Sequence, residues 1–146
     1  MRYTILFSIF LLLQFVGCKK NKFSTTPSLK FESVNTTQLH NQQLIRFSLS
    51  FTDAEGDLTD SIFVQEIVPN CAGSNIEGLF PLPGFPTTKD QKGGITITFG
   101  YNASGYTSVS PQCPPENDTA VFRFALKDKA QHVSDTVSSP VIIIYN

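Results

Sequence analysis

The sequence has no tryptophan, one methionine, two histidines and three cysteines. Charged residues are scarce, 16% of 146 positions, and the two signs nearly cancel to a net charge of −1. So little charge excludes a coiled coil and a charge-driven disordered tail. Near neutrality also excludes the basic footprint of a nucleic acid partner. No apolar run reaches the roughly 20 residues that a membrane-spanning helix needs, and no stretch holds a helical period for three turns. Catalytic signatures are missing as well: there is no GxSxG, no HExxH and no phosphate-cradling glycine loop. His40 and His132 stand in no Ser/His/Asp order, and nothing sets Glu55 or Glu77 at a working distance from a second carboxylate. No enzyme is expected.

What is present is thirteen Phe among many Ser and Thr, in a chain long enough for one domain. Residues 1–17 carry one early cation, Arg2, and then an apolar run from Ile5 to Val16, the grammar of a secretory signal. Gly17 stands just before Cys18. The segment resembles the lipobox of bacterial lipoproteins, with Phe15 where the family usually has Leu. That resemblance implies cleavage before Cys18 and a diacylglyceryl group on its thiol. Residues 18–28, polar and containing Pro27, then read as a tether. No Asp follows Cys18 and no acidic run follows it. Among lipoproteins this points to the outer membrane, on its periplasmic face, with the acyl anchor as the membrane contact.

If Cys18 is acylated, Cys71 and Cys113 remain in an oxidising compartment, and no CxxC or nearby His offers them a metal. A disulfide is expected.

From residue 29 onward the apolar period is two. Ile45, Phe47, Leu49 and Phe51 alternate with Arg46, Ser48 and Ser50; Ile95, Ile97, Phe99 and Tyr101 do the same; so do Phe122, Phe124 and Leu126. Strands are expected at about 29–36, 44–52, 61–68, 95–101, 119–127 and 135–145, with an irregular one between 79 and 90. Turn residues separate them, as in Asp53-Ala-Glu-Gly-Asp57 and Lys92-Gly-Gly94. The pattern predicts an all-β fold, a single antiparallel sandwich over residues 29–146. The segments FTDAEGDLTDSIFV and FALKDKAQHVSDTVSSPVIII resemble turns of Ig-like, cadherin-like domains of small bacterial surface lipoproteins. An Ig-like subtype without the antibody core tryptophan is implied.

Up-and-down strands place the turns at 53–57 and 128–135 at one end. Cys71 and Cys113 then fall together at the other. Asp53, Glu55, Asp57 and Asp128 thus form a candidate Ca²⁺ site of hard oxygen donors. It is no EF-hand, since Leu58 and Val64 replace the required Gly and Glu. The same residues also read as solvated turn formers. A second candidate is the aromatic and proline-rich stretch after Asn70. Phe80 and Phe85, with Tyr101 and Tyr106, form a candidate surface for an envelope protein or glycan, or else a cover for an open sheet edge. Ser61, Thr119 and Thr136 sit in Asp-Ser/Thr-apolar triplets that resemble bacterial O-glycosylation acceptors and equally suit turns that open strands. The function expected is a non-catalytic, lipid-anchored envelope module for binding or support, or alternatively glycan adhesion through residues 79–106.

Overall fold

The computed structural model describes residues 24–69, 71 and 76–146. The signal segment, Cys18 and the start of the tether lie outside the described residues. The described chain contains strands and turns and no helix.

Nine strands run in order: β1 (Ser28–Val34), β2 (Gln38–Leu39), β3 (Leu44–Asp53), β4 (Leu58–Ile67), β5 (Glu77–Pro81), β6 (Gln91–Gly100), β7 (Asp118–Asp128), β8 (Val137–Ser138) and β9 (Ile142–Ile144). They build two sheets, one ordered β1-β3-β6 and the other β2-β9-β7-β4-β5, with β8 also pairing β7. All pairings are antiparallel except the two-residue match of β2 with β9.

The expected period-two rows form the core. Ile45, Phe47, Leu49 and Phe51 of β3 face Phe122, Phe124 and Leu126 of β7, all buried. Phe47 carries the centre. Its ring lies 4.7 Å from that of Phe122, 5.2 Å from Phe124 and 6.3 Å from Phe99, so one side chain touches aromatics from both sheets. Offset and edge-on aromatic pairs add to the area they bury. Four phenylalanines thus fill the middle of a sandwich that has no tryptophan.

Three expectations about strands are corrected. The irregular strand at 79–90 is instead β5, which ends at Pro81 and pairs with β4; residues 82–90 make no ladder. β6 starts at Gln91, four residues before the expected start at 95, and runs through Gly93 and Gly94. Gly93 is required there. It sits opposite Phe51, and a Cβ would come within 2.8 Å of the Phe51 ring. The strand expected at 135–145 is split into β8 and β9, because Pro140 cannot donate to a ladder.

The sandwich has two distinct ends. The 54–57 turn, the start of β1 and the 129–136 connection share one, here the basal end. The other holds Cys71, just past β4, and Cys113, in the connection before β7. These two form a disulfide with Cα atoms 5.9 Å apart across 42 positions of sequence. Beside it the fully buried Asp118 accepts hydrogen bonds from the backbone N–H groups of Gln112 and Cys113. The 101–117 connection is therefore held both covalently and through a buried carboxylate.

Phe47→Ala should lower unfolding free energy by about 3–5 kcal/mol in a denaturant melt, as large aromatic truncations in a core do. Replacing Cys71 and Cys113 together by Ala should cost about 2–4 kcal/mol. The native chain should take up alkylating reagent at these two positions only after reduction, which intact mass would read.

Candidate functional site

The described residues offer two places where chemistry could concentrate: the polar basal end and a cleft along one side of the sandwich.

At the basal end three of the inward rows close on a polar residue. β3 ends in Asp53 and β7 in Asp128, both fully buried, and β6 opens on the buried Gln91. Asp128 is engaged by one neighbour. Its Oδ1 accepts the His132 backbone N–H at 2.7 Å, and its Oδ2 lies 2.7 Å from His132 Nδ1. Asp53 Oδ2 accepts the Asp57 N–H at 3.0 Å, which closes the acidic turn on itself. Gly56 is part of that closure: it adopts φ +66°, and a Cβ would meet the Thr88 carbonyl oxygen at 2.0 Å. A side chain would therefore push the turn off the 82–90 segment.

The four carboxylates expected together do not meet as one group. Glu55, Asp128 and His132 place donor atoms within 4.8 Å of one another, whereas Asp53 and Asp57 stand outside that set. Burial separates them as well, with Glu55 exposed and Asp53 enclosed. Sequence reasoning missed His132 and Gln91 here. His132 was legible only as a turn residue, and Gln91 as a loop residue before a strand that in fact begins with it.

The four expected ring positions also part company. Tyr101 is buried, its backbone bonded to Gln42 and Gln43. Phe80 packs edge-on against Phe99 at 5.4 Å and Phe85 against Phe51 at 5.0 Å. Only Tyr106 among the four is exposed, at 47%. Phe80 and Phe85 instead help to line a cleft of about 320 Å³ between the sheets, where β5 and β6 are the edge strands. Pro81, Leu82 and Pro83 form one wall and the β6 edge from Gly94 to Phe99 the other.

That edge is open. Gly100 sends its N–H to Thr107 and receives Val109 on its carbonyl, so its backbone groups point away from β3. By the alternation of an antiparallel pair, those of Thr98, Thr96 and Gly94 do too. Among the described residues none pairs with them. A larger hollow of about 780 Å³ lies over the outer face of the three-stranded sheet, near Ser28, Lys30, Glu32 and Ser50. It is more polar in its residues, and the Ser50 hydroxyl there already donates to the Glu32 carboxylate.

Of the three triplet residues, Thr119 and Thr136 are exposed and Ser61 is half-buried within β4. Thr119 is the second residue of β7 and Thr136 precedes β8, so both sit where strands open.

No protein family matches the sequence, and no curated protein is similar to it. Solved structures are similar in shape. The sporulation control protein Spo0M of Bacillus subtilis superposes with a TM-score of 0.50 at 10% identity, over 83% of this chain and 50% of that one. This chain thus spans about half the length of Spo0M. The PKD domain of a peptidase from a Thermoplasmatales archaeon gives 0.43 at 12% identity, covering 83% of this chain and 94% of that domain. A Niemann-Pick type C2 protein from the Japanese carpenter ant gives 0.44 at 13%, covering 84% and 98%. At such identities the likeness is one of fold: with its strands in two packed sheets, the chain is a β-sandwich.

Proposed function

We propose that this chain is a non-catalytic, lipid-anchored module of the cell envelope that holds an extended peptide segment of an envelope protein along the free edge of β6. The carrying observation is the combination at that edge. Outward-pointing backbone groups at Gly94, Thr96 and Thr98 lie beside a cleft walled by Pro81, Leu82 and Phe85. An added strand would satisfy the backbone groups, and its alternate side chains would enter the cleft, the logic of β-augmentation. The lack of a ladder over residues 82–90 leaves room for it. Glycan adhesion through 79–106 would draw on Tyr106 alone of the four rings, in a chain without tryptophan.

The anchor belongs to the same reading. Gly17-Cys18 after an apolar run supports acylation at Cys18 and residence at the periplasmic face of the outer membrane. β1 begins at the basal end, so the tether enters there, and β6 runs from that end toward the far one.

Two tests address the two halves. Cys18→Ser should release the protein from membranes or leave its precursor uncut; normal processing with full membrane retention would remove the anchor from the proposal. Selection from a randomised peptide library should return segments with apolar residues at every second position. Thr96→Pro removes an outward N–H without touching the ladder to β3, and should weaken those peptides at least about tenfold with an unchanged melting midpoint. Binding that survives Thr96→Pro would place the peptide elsewhere.

A further inference from the structure

Three oxygens at the basal end have no proton donor. Asp53 is fully buried and Gln91, directly opposite it on β6, is 6% exposed, so both side chains occupy the same inward face. One hydrogen bond orients each. Asp53 Oδ2 takes the Asp57 N–H, and Gln91 Nε2 donates to the Pro86 carbonyl at 3.1 Å. What remains is Asp53 Oδ1, Gln91 Oε1 and Asp57 Oδ1, all buried and without a hydrogen-bond partner. Because the Gln91 nitrogen is committed to Pro86, it is the oxygen that is left over. Among the described residues no Lys or Arg forms an ion pair with Asp53 or Asp57.

Three buried acceptors, two of them on carboxylates, are a costly arrangement. Waters could donate protons to these oxygens but would leave both carboxylate charges unbalanced. A cation answers both needs. We propose that Asp53 Oδ1, Asp57 Oδ1 and Gln91 Oε1 bind a calcium ion between the 53–57 turn and the start of β6. The donors are all oxygen, which disfavours zinc. Two carboxylates match a double charge, and calcium accepts an irregular sphere of six to eight oxygens where magnesium demands a small octahedron. The chain holds the site together at Gly56, which lets the turn press against Thr88, and through the Asp90 N–H bond to the Ala54 carbonyl at 2.9 Å. The neighbouring Glu55, Asp128 and His132 group is a separate feature, since His132 already engages both Asp128 oxygens.

Thermal melts and titration calorimetry of the purified chain test this with calcium, magnesium and EDTA. Calcium at a hundredfold excess over its Kd should raise the midpoint by about 5 °C or more, and magnesium should not. Gln91→Leu should weaken calcium at least about tenfold. Gln91→Glu, which adds a third carboxylate, should tighten it, and this variant still reads the site if Gln91→Leu fails to fold. Glu55→Gln and His132→Gln should leave affinity unchanged. Equal midpoints in EDTA and calcium with no heat of binding would overturn the site. So would a calcium response that Gln91→Glu leaves no tighter, or one that His132→Gln abolishes.

Discussion

The packing of Phe47 between the two sheets is the constraint on which the rest depends. Its ring reaches Phe122 and Phe124 on the opposite sheet while lying beside Phe99 on its own. A slip of one residue in β3 would turn Arg46 and Ser48 inward and Phe47 out, so this contact selects one register. That register sets Phe51 over Gly93 and brings Asp53 opposite Gln91. The core and the polar basal end are therefore parts of a single alignment. The β4–β7 pairing does the same for the second sheet, carrying Leu58 to Asp128 at one end and Ile67 to Val121 near the disulfide at the other.

Strands buried on one face were the legible part of the sequence. β3, the second half of β6 and most of β7, where Ala125 alone breaks the burial pattern, alternate because solvent selects polar residues on one side and the core selects apolar ones on the other. The illegible parts each have a local cause. Gly93 and Gly94 carry a turn signature, yet the first is forced by a ring across the ladder, which no local pattern reveals. β5 holds Gly78 and Pro81 among its five residues and borrows its pairing from β4. The disulfide was legible from cysteine count and strand direction together. The basal site was only half legible: acidic turn residues announce themselves, but Gln91 gains its place only when β6 pairs with β3.

The two ends solve the closing of a sandwich differently. Where the sheets stop, inward rows must meet water or be capped. The far end is capped by a covalent bridge with Asp118 gathering the backbone of the 112–113 turn. The basal end is capped by polar side chains that continue the rows themselves, Asp53, Gln91 and Asp128. One cap is fixed once formed. The other is assembled from charges whose balance depends on what surrounds them.

The way β1 enters the fold has a mechanical side. β1 lies antiparallel to β3, with register partners from Ser28 with Thr52 to Val34 with Phe47. A pull on the chain just before Ser28, resisted by the core, acts along β1 and therefore across all of its ladder bonds at once. Loaded this way the bonds share the force in shear, whereas a pull from the side would peel them open one after another. Beyond β1 the chain crosses to the other sheet, where β2 lies parallel to β9. Tension that the β1 ladder does not take up thus passes on to the second layer.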